Sequence, residues 1–290
     1  MNRNPPTPMD LPPNLSLPLF VYGALKPGMP AYEALRQFVL GTPQRESVPG
    51  DLYVRDGLPL LILDGGAQAE GFLLQWVPGK EHDAYQLVCD FEPPEHYAWA
   101  SVTIDSRFSA NVLVARYSGK GNPQPLYSRS WSLVDDPAFG VGLKVIRSVS
   151  QEIADNREWD DMEKFFRAQM AYLLLWSILE RLSALCFGPR LDPNERIKRL
   201  HELPGMTKLV QKVVRRNDRV TDSRDPSQGY ILNAENAKKT FQYYYQVRSN
   251  LSHRGKAVHN EVGKVRDSLN ELLEIVDGFL DELRNPAVRT

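Results

Sequence analysis

Phe20–Val21–Tyr22–Gly23–Ala24–Leu25–Lys26–Pro27–Gly28 is the stretch that decides how this chain is read. Its apolar and aromatic start is strand-like, and Gly23, Pro27 and Gly28 then break it. At such a junction glycine permits a sharp turn and leaves backbone N–H groups able to hold an anion such as a carboxylate. Taken alone, the run reads as an ordinary strand-to-turn junction, so its surroundings must decide.

Before it, residues 1–18 carry six prolines. Proline fixes φ and removes a donor, so a disordered or extended Pro-rich leader is expected there. After it come strand-length apolar runs at 19–25, 50–54, 58–63, 71–77, 102–104 and 111–117, punctuated by glycine and proline. Helices are expected at 31–40 and 137–153, the second capped by Asp136 with Pro137 at its first position. Residues 19–155 thus read as one β-rich α+β domain.

Beyond Asn156 glycine becomes scarce and the apolar period changes to that of a helix. Phe165, Phe166, Met170, Leu173, Leu174, Ile178, Leu182 and Leu185 mark a core-facing helix over 159–187. Asp192–Pro193–Asn194–Glu195 reads as cap, N1 proline and capping-box glutamate of a helix that stops before Pro204–Gly205. Further helices are expected at 206–216, 234–251 and 261–283, with a polar loop over 217–233. Residues 156–290 read as an all-α bundle.

At 290 residues the chain has room for two such domains. With 42% hydrophobic and 24% charged residues it is neither collagen-like, wholly disordered nor a disulfide scaffold. The net charge of −1 hides a split. Residues 1–155 hold 12 Lys and Arg against 17 Asp and Glu, and residues 156–290 hold 23 against 19, as expected of domains with different partners. Cys89 and Cys186 lie in separate apolar runs and read as buried free thiols of a cytoplasmic protein. No basic-then-apolar leader and no uninterrupted apolar run of membrane length occurs, so no membrane partner is expected. No Cys/His cluster implies a metal, and no cofactor is implied.

In order along the chain, Tyr22–Gly23–Ala24–Leu25, Gly57–Leu58–Pro59, Glu70–Gly71–Phe72 and Cys89–Asp90–Phe91–Glu92 followed by Tyr97 resemble the γ-glutamylcyclotransferase-like superfamily, including its AIG2-like branch. The likeness covers about residues 17–120 and extends weakly to about 155. It implies a small β-barrel flanked by helices. It also implies a reaction in which the α-amine of a γ-glutamyl group attacks its own γ-carbonyl, releasing an amine and 5-oxoproline. The attacking amine loses a proton and the leaving nitrogen gains one, which a single carboxylate with a raised pKa can shuttle. The resemblance assigns that role to Glu92. It assigns substrate binding to Tyr22, Gly23, Ala24, Leu25 and Tyr97, the loop acting through its backbone. Ala24 stands where a hydroxyl residue is commonest, a change that leaves backbone donors in place. Without the resemblance, Glu92 reads as a solvated carboxylate after a core phenylalanine.

The second half holds another run, Tyr243–Tyr244–Tyr245–Gln246–Val247–Arg248–Ser249–Asn250–Leu251–Ser252–His253–Arg254–Gly255–Lys256. Its Arg-x4-His spacing recurs at Arg196–His201 and Arg254–His259, so spacing alone decides nothing. With its aromatic helix before and basic glycine turn after, the run resembles HEPN domains of the Apea-like branch, diffusely over about 158–285. That resemblance implies a metal-independent ribonuclease. Arg248 would hold phosphate and His253 move a proton, with Ser249 and Asn250 at the substrate and Glu180 orienting Arg248. It also implies RNA as partner and a homodimer through the helical domain. Arg196, Lys198, Arg199, Lys208, Lys212, Arg215, Arg216 and Arg219 read either as a phosphate track or as solvated helix faces.

The expectation assembled from these readings is a multidomain α+β protein, a γ-glutamylcyclotransferase-like barrel followed by an all-α HEPN-like bundle. The bundle would cleave RNA as toxins or phage-defence effectors do, and the barrel would sense or process a small γ-glutamyl-type ligand. One alternative is a γ-glutamylamine cyclotransferase whose helices only dimerise. A second is a non-catalytic, ligand-gated interaction module.

Overall fold

The structure, a computed structural model, describes residues 9–29, 31–63, 66–104, 108–116, 122–188, 191–254 and 262–284. The chain is α+β overall, a mixed-sheet region followed by a helical one. It divides into two compact units, Met1–Gly140 with Ala184–Asp192 and Val141–Ser183 with Pro193–Thr290.

In the first unit the described strands are β1 (Leu19–Val21), β2 (Gln44–Pro49), β3 (Asp51–Arg55), β4 (Leu58–Ile62), β5 (Gln68–Leu74), β6 (Tyr97–Ile104), β7 (Phe108–Ala115) and β8 (Gln124–Pro125). They form a five-stranded sheet of order β2-β5-β1-β7-β6 and a three-stranded sheet of order β4-β3-β8, where the resemblance implied a small barrel. β1 is central and buried along its whole length, as its unbroken apolar run requires. It runs antiparallel to β5, with Val21 opposite Phe72, and parallel to β7, with Phe20 opposite Val112. The next residue on β5 after Phe72 is Gly71, whose absent side chain is a steric necessity. A Cβ there would stand 2.3 Å from the Val21 carbonyl oxygen and 2.7 Å from the Phe20 ring. Phe20, Tyr22, Leu61, Leu73, Ile104 and Val112 belong to the core cluster inside these strands.

Several expected elements differ in extent. The strand expected over 19–25 ends at Val21, because Tyr22 leaves the ladder to bond elsewhere. The helix expected over 31–40 is one turn, α1 (Tyr32–Leu35), continued by a 3₁₀ turn over Arg36–Phe38. β2 was not anticipated: its residues are polar and only Val48 is buried, so no apolar run announces it. Nor was α2 (Glu81–Phe91), a short charged helix that buries Ala84, Tyr85, Val88, Cys89 and Phe91.

The disordered leader is corrected for residues 9–18; residues 1–8 lie outside the described part. The segment lends backbone carbonyls to the core. Trp99 donates from Nε1 to Asp10 O at 2.7 Å, Asn111 from Nδ2 to Asn14 O at 2.7 Å, and Tyr85 from its hydroxyl to Leu17 O at 2.7 Å. Three such bonds, with Met9 buried, hold the segment in place.

The second unit contains α3 (Leu143–Asp155), α4 (Asp161–Phe187) as far as Ser183, α5 (Pro193–Lys198), α6 (Met206–Val213), the strands β9 (Arg219–Thr221) and β10 (Gly229–Ile231), α7 (Ala237–Arg254) and α8 (Val262–Arg284). Asp136 accepts from the Ala138 N–H at 2.9 Å as a π-helical turn leads into α3. α3 groups with the second unit, although the sequence reading carried the first domain to residue 155. The reason is side-chain pairing: Arg147 bonds Asp277, and Ser150 bonds Asn270 at 2.7 Å, both on α8. By length and composition α4 could cross a membrane, yet more than half of its apolar window is buried inside the structure, as in a core helix. The expected loop 217–233 contains the hairpin β9–β10, with Tyr230 opposite Val220.

A polar hub ties this unit together. Arg216 donates from Nε and Nη2 to the two carboxyl oxygens of Glu271, both at 2.9 Å, and from Nη1 to Asp218 at 2.8 Å. The Tyr244 hydroxyl donates to Glu271 at 3.0 Å, and Ser268 accepts from Arg216 at 3.2 Å. A guanidinium matched edge to edge with a carboxylate is a strong, orienting contact.

Candidate active site

The candidate site is built where β1 ends. Leaving the ladder, Tyr22 turns its hydroxyl to donate to the Leu113 carbonyl at 2.7 Å and to accept from the Leu61 N–H at 3.3 Å. This buried phenol thereby pins the loop to β7 and β4 at once. The next residue, Gly23, faces Pro59 of β4, whose Cγ would lie 2.9 Å from a Cβ at that position. Pro59 is held from the other side, because the Tyr97 hydroxyl donates to its carbonyl at 2.8 Å. β4 is thus the wall against which Tyr22, Gly23 and Tyr97 converge.

The loop then winds through tight turns, Lys26 N–H donating to Gly23 O at 3.2 Å and Met29 N–H to Lys26 O at 3.0 Å. Ala24 and Leu25 are buried, and among the described residues nothing accepts a hydrogen bond from either N–H. Buried backbone donors are nearly always paired, so two adjacent free ones are a ready seat for an anion.

Glu92 completes the group. It is the C-terminal cap of α2, its N–H donating to Val88 O at 2.9 Å while its backbone turns extended. The residue is only partly exposed, and no hydrogen bond or ion pair reaches its carboxyl among the described residues. Burial alone pushes its pKa up to about 7. The end of a helix is also where a carboxylate is least favoured. Its charge acts on Tyr22: burial first, then Glu92, pushes the Tyr22 phenol up, so that group stays protonated. The chemical capacity is therefore a carboxyl that gains and loses a proton near neutrality, within electrostatic reach of a protonated phenol.

Two polar features beside this loop were not assigned from sequence. Lys26 is buried and donates from Nζ to Ser130 Oγ at 3.0 Å and to the Trp131 carbonyl. Burial pushes its pKa down to about 8, partly offset by Asp135 and Glu70. Its signal was in plain view, a lysine directly after an apolar loop. Arg55, also buried, donates from Nε to Nδ1 of His96 at 3.2 Å, next to Tyr97. Nothing local joins Arg55 to His96, which lie 41 residues apart.

In the second unit, Arg248 reaches Glu180 with Nη2 at 3.3 Å and lies over the Tyr245 ring at 5.8 Å. The side chain of His253 lies outside the described residues. Ser249 and Asn250 are buried. Asn250 is occupied by the fold: Oδ1 accepts from Ser223 N–H at 3.0 Å and from Gln246 at 2.9 Å, and Nδ2 donates to Thr221 O at 2.9 Å. The basic residues of 196–219 do not form one exposed row. Arg196 is buried, Lys198 and Arg199 pair with Glu195 and Glu202, and Arg216 is held by Glu271 and Asp218. Among the described residues no three His, Cys, Asp or Glu side chains group as metal ligands do.

Comparison with known proteins bears on the first unit. Residues 19–133 match the model of the family described as gamma-glutamyl cyclotransferase, AIG2-like. No curated protein matches the chain. Among solved structures, an uncharacterised protein from Pyrococcus horikoshii is 17% identical over 40% of this chain and 89% of its own, with a TM-score of 0.32. An alanine variant of allophanate hydrolase from Kluyveromyces lactis is 18% identical over 37% of this chain, with a TM-score of 0.29, and the chain spans only 19% of that protein.

Proposed function

We propose that the region matched by the gamma-glutamyl cyclotransferase model, residues 19–133, cyclises a γ-glutamyl compound with Glu92 as its acid–base group. The observation that carries this reading is the Glu92 carboxyl itself, without a partner among the described residues, pushed up to about 7 by burial, and close enough to act electrostatically on Tyr22. As carboxylate, Glu92 removes a proton from the substrate's α-ammonium. The freed nitrogen attacks the γ-carbonyl carbon, a new C–N bond closes the five-membered ring, and the old C–N bond to the leaving amine breaks. The ring nitrogen gives up its second proton as the old C–N bond breaks, and both protons, relayed in turn by Glu92, end on the departing amine, which leaves as an ammonium ion, so the carboxylate is regenerated and no outside reductant or base is consumed. The free N–H groups of Ala24 and Leu25 hold the substrate's α-carboxylate. The fold of this region, in this reading, is the small barrel of the family.

The test is release of 5-oxoproline from a panel of γ-glutamyl amino acids and γ-glutamyl amines, with the parent chain and Glu92→Gln side by side. Turnover by the parent and its loss in the variant is the expected result. Equal turnover by both would remove Glu92 from the chemistry. The family model stops at residue 133, and the RNA-cleaving role that resemblance implied for Arg248 and His253 is not part of this proposal.

A further inference from the structure

The elements that frame Glu92 are tied to a segment outside the matched region. Residues 10–18 precede the stretch 19–133, and they lie across α2, β6 and β7 with their carbonyl oxygens turned toward them. Asp10 O accepts from Trp99 Nε1 of β6 at 2.7 Å and from Cys89 Sγ of α2 at 3.3 Å. Leu17 O accepts from the Tyr85 hydroxyl of α2 at 2.7 Å. Asn111 of β7 closes the knot. Its backbone N–H donates to Pro18 O at 2.9 Å, and its Nδ2 donates to Asn14 O at 2.7 Å and to the Tyr85 oxygen at 2.8 Å.

These bonds are placed to fix a direction. Tyr85 and Cys89 stand one turn apart on one face of α2, and Glu92 caps that helix three residues further on. The segment therefore holds α2 at two points just before its cap. The Glu92 carboxyl has no partner of its own among the described residues, so the position of α2 sets its position. Burial of Ala84 and Val88 keeps α2 against the core but has no direction, whereas hydrogen bonds demand particular distances and angles. The Tyr85 ring is fully buried, with the rings of Trp76 and Trp99 edge-on to it at 5.3 and 5.6 Å. Burial pushes the Tyr85 phenol up to about 12, partly offset by Asn111 and Trp76, so it stays a donor throughout the range in which Glu92 titrates.

On the reading of Glu92 as the acid–base group, we propose that residues 10–18 form a strap that holds Glu92 in working position, with Tyr85 as the positioning residue, so that loosening the strap slows the reaction. Without the strap α2 loses both anchors and water reaches the Glu92 carboxyl. Hydration favours the charged form, and the carboxylate is no longer held where the substrate's nitrogen must meet it.

The test is carbon-13 NMR titration of Glu92 in the intact chain, its carboxyl signal identified by its loss in Glu92→Gln, with 5-oxoproline release followed in the same preparations. Tyr85→Phe keeps the ring and removes the hydroxyl. Trp99→Phe cuts the strap at its other end, from a half-buried position. Gln86→Ala, exposed on α2 and bonded to Asp90 of the same helix, is the control. Both strap variants should lower the Glu92 midpoint by at least about one unit, about tenfold in proton affinity, while the control stays within about 0.3 of the parent. In both, kcat should fall by about tenfold and KM change by less than about threefold. Circular dichroism will show whether each variant folds, and Trp99→Phe decides if Tyr85→Phe does not. A Glu92 midpoint unmoved in the folded strap variants would overturn the proposal, whatever happens to stability or turnover. Should the strap variants shift the midpoint while the parent releases no 5-oxoproline, the strap stands and the assigned reaction falls.

Discussion

Replacing Glu92 by glutamine removes a carboxyl that the fold holds at about 7, against an ordinary value of 4.5, and the change can be followed without knowing the substrate. In the unfolded chain Glu92 ionises near its ordinary value, while in the folded chain it keeps its proton until about 7. Between these values the folded state binds the extra proton, so stability falls as pH rises. Each pH unit in that window costs about 1.4 kcal/mol, and the full window about 3 kcal/mol. Because Glu92 is partly exposed, solvent screening lowers the expectation to about 2 kcal/mol. Glutamine has no such penalty. Urea denaturation of parent and Glu92→Gln should coincide at pH 4 and diverge above it. By pH 8 the variant should be the more stable by about 2 kcal/mol, with the change centred between pH 4.5 and 7. In the same preparations 5-oxoproline release should fall by about 10²–10⁴-fold in the variant. The parent's rate should lose activity below a limb near pH 7, where the base is protonated. A stability difference that does not change with pH would refute the burial argument. Unchanged turnover would refute the chemistry, and the two failures are separable.

Gly71→Ala places a Cβ 2.3 Å from the Val21 carbonyl oxygen, so β5 must part from β1; a loss of about 3 kcal/mol is expected, and an unchanged denaturation midpoint would contradict the register. Arg216→Met leaves Glu271 and Asp218 without their shared cation and should lower the stability of the helical unit by about 3 kcal/mol in denaturant titrations, a loss below about 0.5 kcal/mol being the opposing result. Lys26 ionises near 8 when folded against 10.5 ordinarily, so the unfolded chain holds the extra proton in between. The stability of the parent relative to Lys26→Met should therefore rise by about 1.4 kcal/mol per pH unit from pH 8 to 10, and a flat difference would show that Lys26 is solvated.

Much of the helical half was legible because its cause is local. Apolar residues every three or four positions from Phe165 to Leu185 demand a helix that buries one face, and α4 follows within two residues of the expected start. It buries Phe165, Ile178, Leu182 and Leu185, whereas Phe166, Met170 and Leu174, expected to face the core, are exposed. Asp136 could be read as a cap for the same reason, since a cap and the N–H it satisfies are neighbours in the chain. The candidate site was legible in part, through the order of Tyr22–Leu25, Glu92 and Tyr97 along the chain. β2 and α2 escaped because a polar edge strand and a short charged helix lack the periodic apolar signal. Residues 9–18 escaped because proline content records the loss of donors and is silent on who uses the carbonyls.

By itself, then, the amino-acid sequence determined which segments bury a face, where glycine and proline break them, and which residue types could carry proton transfer. Tertiary structure alone decided which of those residues meet. Tyr22 joins Leu61 and Leu113, 39 and 91 residues away, Tyr97 joins Pro59, 38 residues away, and Arg55 joins His96, 41 residues away. It also decided that Glu92, which without its flanking pattern reads as a solvated carboxylate, holds its proton to about 7, and that Arg216, which reads as part of a phosphate track or of a solvated helix face, is spent on Glu271. The physical reason is range. Helix periods and caps are set by neighbours a few residues apart, whereas burial, dielectric environment and ion pairing depend on whatever the fold brings alongside from anywhere in the chain.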